Sequence, residues 1–137
     1  MNIQVRYLSK TGNTEKIANA IAEELNVGAR PITDDIPSDT DILFLGCAVY
    51  GFEIDEEMKK FIKSIKGKTK KVAVFSTTAV VKSAYNEVKK LLNKEDIYVF
   101  ELEFHCRGKY RIFHKDRPDE NDTKLAREFA KNITNEQ

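Results

Sequence analysis

The stretch Ser9-Lys10-Thr11-Gly12-Asn13-Thr14 concentrates the chemistry near the start of the chain. It lies between an apolar run, Ile3 to Leu8, and an amphipathic segment, Glu15 to Leu25. That order reads as strand, tight polar loop and helix. A helix N-terminus carries backbone N–H groups without intrahelical partners, and its dipole favours negative charge. Ser9, Thr11 and Thr14 add hydroxyls, and Gly12 lets the backbone approach a ligand closely. The expected chemistry is a phosphate cradle built mostly from neutral donors. The plain alternative is an ordinary turn in which Thr11 or Asn13 merely caps the helix. A Walker loop needs G-x-x-x-x-G-K-[ST] and a dinucleotide loop needs G-x-G-x-x-G. Neither occurs here.

The elements that must position this loop alternate short apolar runs with amphipathic segments, which predicts βαβ units and a parallel sheet. Strands are expected at Ile3–Leu8, Gly28–Thr33, Ile42–Gly46, Val72–Ser76 and Ile97–Phe104. Helices are expected at Asn13–Leu25, Asp55–Ile65, Ser83–Leu92 and Asp122–Ile133, the last burying Leu125, Ala126, Phe129 and Ile133. Pro31 cannot donate to a ladder, so the second strand belongs at an edge. The alternating fifth strand, with one partly wet face, suits the other edge. Ligands of such sheets bind beyond the C-terminal strand ends, at the switch point between the first and third strands. Three segments should meet there: Ser9–Thr14, Ala48–Phe52 and Ser76–Ala79.

The bulk numbers narrow the function classes. Twenty-three basic and 22 acidic residues give a formal net charge of +1, which removes the charge argument for nucleic acid. With 137 residues, 41% hydrophobic and 33% charged, the chain fits one globular domain, residues 1–137. No apolar run approaches the roughly 18 residues of a bilayer span. Met1 to Leu8 enters a strand pattern with no signal-peptide layout, so a cytoplasmic protein is expected. Cys47 and Cys106 lack metal-type spacing and are expected as free thiols. His105 and His114 pair with no carboxylate at ligand spacing, so no metal site is expected. Asp34-Asp35 is not a receiver-type acidic pocket, because that pair belongs at the end of the first strand, where Leu8-Ser9-Lys10 stands.

The S-K-T-G-N-T loop resembles the phosphate loop of flavodoxins, [S/T]-x-T-G-x-T at the end of the first strand, which holds the 5′-phosphate of FMN. Ala48-Val49-Tyr50-Gly51-Phe52 resembles the second flavin loop, where an aromatic residue stacks on the isoalloxazine. Tyr50 is the first choice for that ring and Phe52 the second; an ordinary half-buried tyrosine is the alternative. The Gly51 peptide suits a carbonyl that accepts from the flavin N5–H. Ser76-Thr77-Thr78-Ala79 corresponds to the third loop, whose hydroxyls and amides hold the ribityl chain and the pyrimidine edge. Many flavodoxins place a tyrosine there; this chain has Ala79-Val80-Val81. Phe104-His105-Cys106-Arg107-Gly108-Lys109-Tyr110 resembles a C-x-G-K-[FY] stretch of small flavodoxin-like proteins. Arg107 or Lys109 would lie near the reduced ring, or else form a solvated basic loop.

The resemblance implies an α/β fold: a flavodoxin-like three-layer sandwich with a five-stranded parallel sheet in the order 2-1-3-4-5. It implies FMN as cofactor, bound by Ser9, Lys10, Thr11, Gly12, Asn13 and Thr14 at the phosphate. Ala48, Val49, Tyr50, Gly51, Phe52, Ser76, Thr77, Thr78 and Ala79 would complete the site. The implied function is an electron-transfer flavoprotein that cycles its flavin between redox states with redox partner proteins, and is a monomer by default. The alternatives are a flavin-dependent reductase or dehydrogenase with a quinone- or protoporphyrinogen-type substrate, or a flavin-free module. No acid–base pair or nucleophile constellation stands out, which favours a carrier over a catalyst. Glu53, Asp55, Glu56 and Glu57 beside the second loop imply a low potential for the second electron. The near-neutral charge departs from the acidic character usual in the family.

Overall fold

The computed structural model describes residues 1–49, 53–79, 83–108, 114 and 116–135. The elements run β1 (Ile3–Tyr7), α1 (Asn13–Leu25), β2 (Ala29–Pro31), β3 (Thr40–Val49), α2 (Glu56–Ser64), β4 (Thr69–Thr78), α3 (Tyr85–Lys94), β5 (Tyr98–Val99), β6 (Phe104–Arg107) and α4 (Glu120–Asn135). All strand pairs are parallel, in the order β2-β1-β3-β4, with β5 and β6 both on the outer side of β4. The expected order 2-1-3-4-5 is therefore present, with its last strand in two pieces.

The central strands feed two cores. Leu43, Leu45, Cys47, Val49, Val72 and Val74 pack under α2 and α3. Ile42, Phe44, Ala73 and Phe75 pack on the other face with Ile17, Ile21, Ala126, Phe129 and Ile133 of α1 and α4. A strand buried on both faces has no polar side to alternate with, which is why β3 and β4 read as continuous apolar runs. Among the described residues no helix is long and apolar enough to cross a membrane.

The second strand is at the edge that Pro31 predicted; Pro31 is paired in register with Tyr7 and exposed to solvent. Its following loop is pinned by Arg6, a buried guanidinium that donates to the carbonyls of Asp34 (2.9 Å), Asp35 (2.8 Å) and Val5 (3.1 Å). Each guanidinium nitrogen thus has a carbonyl partner, which is what lets a charge sit inside.

Two expectations need correction. The segment 97–104 is not one strand. Val72 pairs with Val99 and Phe75 with Phe104, so the edge chain takes two more residues than β4 to cover the same length. Glu101 and Leu102 take up the excess and are exposed. Leu125 does not join the core; it is 43% exposed. The buried stripe of α4 is Asp122, Ala126, Phe129, Ala130 and Ile133, at helical spacing, and Leu125 falls beside it.

The buried polar residue of that stripe locks the start of α4. Asp119 Oδ1 accepts from the Asp122 amide and Asp122 Oδ2 accepts from the Asp119 amide, both at 2.9 Å, a reciprocal cap. Arg117 donates to both Asp122 oxygens at 2.6 Å. Burial pushes the Asp122 pKa up, but the Arg117 and Asp119 hydrogen bonds outweigh it, and the net shift is downward. Stability from this carboxylate is thus present above its unfolded pKa and is lost as pH falls through the folded one. Asp122→Asn should cost about 3 kcal/mol at pH 7, the lower end for a broken buried pair because Arg117 is partly exposed. Denaturant titrations at pH 7 and pH 3 check this: the gap between variant and parent should narrow at the acid end.

Candidate functional site

One row of residues crosses the sheet in register: Tyr7, Gly46, Phe75 and Phe104. Beyond it, β3 continues to Val49, β4 to Thr78 and β6 to Arg107, whereas β1 ends at the row. The short first strand leaves a step in the sheet. Leu8 adds one more bond, from its amide to the Gly46 carbonyl at 3.0 Å, and the chain then turns into the loop 9–14 that fills the step.

Gly12 makes this turn. It is the N-cap of α1 with φ +90°, a left-handed conformation that disfavours any residue with a Cβ. Its amide donates to Ser9 Oγ at 3.0 Å, and the Lys16 amide donates to its carbonyl at 3.1 Å. A glycine cap brings no side-chain oxygen to the first turn, so α1 opens with its amides and dipole directed at the loop. Gly12 and Thr11 are exposed, while Asn13 and Thr14 are buried. Asn13 Nδ2 donates to Thr11 Oγ1 at 2.9 Å.

The loop is tied to its neighbours on three sides. Thr14 Oγ1 and Thr77 Oγ1 are hydrogen-bonded at 2.8 Å, joining α1 to β4. Lys10 forms an ion pair with Asp55 at 2.5 Å, joining the loop to the start of α2. Asp55 is the N-cap there and also accepts from the Glu57 amide at 2.9 Å. The Lys10 hydrogen bond, then the Glu57 amide, hold the Asp55 carboxyl below its usual range. The positive charge of the loop is therefore spoken for, and the surface it presents is one of hydroxyls and amides. Gly108 packs on Asn13 so closely that a Cβ on it would lie 2.8 Å from Asn13 Nδ2.

Ala48 and Val49 belong to the end of β3, and Thr77 and Thr78 to the end of β4, rather than to the loops expected there; Ser76 lies in β4 as its expected strand had it. Ser76, Thr77 and Thr78 are fully buried. Ser76 Oγ accepts from the Ala84 amide at 3.4 Å, and Thr77 is bonded to Thr14. Ala79 stays near the third loop's base: its amide donates to the Val49 carbonyl at 3.4 Å. Its carbonyl lies 3.1 Å from the donating Arg107 guanidinium and 3.3 Å from His114 Nε2. Tyr50, Gly51, Phe52, Val80, Val81 and Lys109 lie outside the described residues. Of the segments expected to meet, 9–14, 48–52 and 76–79, the described parts, 9–14, 48–49 and 76–79, lie together at one end of the sheet.

Two features of this corner escaped the sequence reading. The Thr14–Thr77 bond had no local signal. Gly46 did have one, a glycine inside an apolar strand, which marks a close approach; a Cβ there would lie 2.4 and 2.5 Å from Phe75 ring atoms. The two thiols are inert neighbours. Burial pushes Cys47 up to about 12 and, with help from Asp122, Cys106 to about 12, so neither is a thiolate at neutral pH.

The chain belongs to the flavodoxin-domain family, which it matches over residues 4–133. An uncharacterised protein of Methanocaldococcus jannaschii is 36% identical over 136 residues, covering 88% of this chain and 89% of its own length. A flavodoxin of Clostridium beijerinckii is 36% identical over 87 residues, 55% of this chain and 63% of that protein. A solved flavodoxin from the domain Archaea superposes with a TM-score of 0.82 at 17% identity, covering 99% of this chain and 98% of that one. At that identity the superposition speaks for the fold.

Proposed function

We propose that this protein binds FMN and carries electrons through it to and from redox partner proteins. One observation carries the reading: the loop 9–14 fills the step at the switch point between β1 and β3, with a left-handed glycine opening α1. Ser9, Thr11 and the first-turn amides would hold the phosphate dianion, and the Lys10–Asp55 pair leaves that task to neutral donors. Bound there, the flavin would supply the one- and two-electron chemistry, and the protein would supply position and electrostatics. Ala48, Val49 and Ala79 bring the bases of the second and third loops to the same strand ends, where Tyr50, Gly51 and Phe52 follow in sequence. Arg107 is occupied at the base of the third loop, which favours a positioning part over contact with a substrate.

Titration of the protein into FMN tests this. Fluorescence quenching that saturates at one flavin per chain, with Kd at or below about 1 μM, is the expected result. Unquenched FMN and a colourless purified protein would sink the reading.

A further inference from the structure

We propose that the groove between α2 and α3 docks an acidic electron-transfer partner, an inference that rests on the carrier reading above and adds the chemistry of its partner. The groove has an apolar floor: Ile54, Ile62 and Leu91 line it. It consists of two adjoining hollows, of about 290 and 420 Å³, that share Lys59, Leu91 and Lys94. The first begins at Glu53 and Ile54, directly after the second loop in the chain, so the groove runs away from the proposed flavin end.

Its charges are arranged unevenly. Lys60 and Lys63 of α2 and Lys90 and Lys94 of α3 are exposed, and among the described residues none of them pairs with a carboxylate. Lys59 and Lys66 nearby do have carboxylate partners, Glu56 and Asp96. Glu53, Glu56 and Glu87 sit toward the N-terminal ends of the helices, where the dipole suits them, and Glu95 lies at the far end. Lys60 and Lys63 are three apart and Lys90 and Lys94 four apart, spacings at which like charges repel on a helix. Glu56, Glu57 and Glu87, one turn before Lys60 and Lys90, offset part of that repulsion, but among the described residues no ion pair closes on these four lysines; a carboxylate-rich partner laid along the groove would supply it. The opposite face is different: on α1 and α4, Arg127 pairs with Glu23 and Lys131 with Glu24. A groove with an apolar floor and unpaired cations on both walls suits an acidic segment that carries an apolar residue, and it repels a basic one.

The test is calorimetric titration of the FMN-treated protein, and of the protein without FMN, with an acidic plant-type [2Fe–2S] ferredoxin as the probe. Cytochrome c, a basic electron-transfer protein, is the counter-probe. At about 20 mM salt the ferredoxin should bind, and its affinity should fall at least about tenfold at 300 mM salt, as screening requires. The variant Lys60→Glu/Lys63→Glu/Lys90→Glu/Lys94→Glu should bind at least about tenfold more weakly, and Lys60→Ala/Lys90→Ala about threefold. The second variant serves if the first loses its thermal transition. Lys124→Glu/Lys131→Glu on α4 should stay within about twofold of the parent. Unchanged binding by the groove variants, equal loss with the α4 variant, tighter binding of cytochrome c, or no binding of ferredoxin at low salt would each overturn the proposal. If FMN fails to bind while ferredoxin behaves as expected, the carrier reading falls and the docking surface stands. If FMN binds and ferredoxin does not, the docking surface alone falls.

Discussion

Gly46→Ala is expected to destabilise the protein by about 3 kcal/mol, a large share of the 5–15 kcal/mol that holds an ordinary domain together. The added methyl would lie 2.4 and 2.5 Å from Phe75 ring atoms and 3.0 Å from Thr14 Cγ2. Phe75 is fully buried, so its ring has no solvent to swing into. Close-packed interiors transmit such strain rather than absorb it. The displacement would also press on Thr14, whose hydroxyl is bonded to Thr77. Denaturant unfolding should show a lower midpoint with an unchanged slope. Phe75→Leu in the same chain should restore part of the loss, giving a favourable coupling in the double-mutant cycle. A single variant within about 0.5 kcal/mol of the parent, or simple additivity, would mean that the ring is not confined as described.

Ser9→Ala with Thr11→Ala is expected to weaken FMN binding about 100-fold and riboflavin binding less than about threefold. Each hydroxyl lost to a phosphate dianion removes about 1.5 kcal/mol, and 1.4 kcal/mol is a tenfold change in affinity. These hydroxyls accept from the Gly12 amide and from Asn13 Nδ2, bonds that stay inside the loop, and Thr11 is exposed, so folding should be little affected. Thr14 is the poorer choice for this purpose, since its removal also breaks the bond to β4. Riboflavin lacks the phosphate but keeps the ring and the ribityl chain, so it isolates the contribution of the loop. Equal losses for the two ligands would show that 9–14 does not hold the phosphate.

Much of the architecture was legible because each clue had a direct physical cause. Pro31 lacks an amide hydrogen, and that alone placed β2 at a margin. Ile17, Ala18, Ile21 and Ala22 recur at helical spacing, and α1 begins and ends where that stripe predicts. The strand ends were less legible. Thr77 and Thr78 read as loop because they are polar, yet threonine is a good strand former, and buried partners satisfy the hydroxyls of Thr77 and of Ser76 before it. The partners lie 63 and 8 residues away in the chain, so no local pattern announces them. The break between β5 and β6 was hidden for a different reason. An excess of two residues preserves the alternation of faces, so Phe100 and Phe104 keep the period of an unbroken strand. Of the site, the loop 9–14 was the legible part, since a glycine, its hydroxyls and the start of a helix are adjacent in sequence. The ties that hold it, from Thr77, Asp55 and Gly108, come from distant segments.

The break at Glu101 and Leu102 bears on how the molecule tolerates crowding. A long, regular sheet margin is a template on which a second chain can crystallise its own strand, the route to domain swapping and fibrils. Here the outer margin is cut into pieces of two and four residues by a protruding pair, one of them charged. The opposite margin is three residues long and ends in proline. Among the described residues neither side offers a long uninterrupted ladder of amides and carbonyls, so self-assembly by strand addition is disfavoured at both margins.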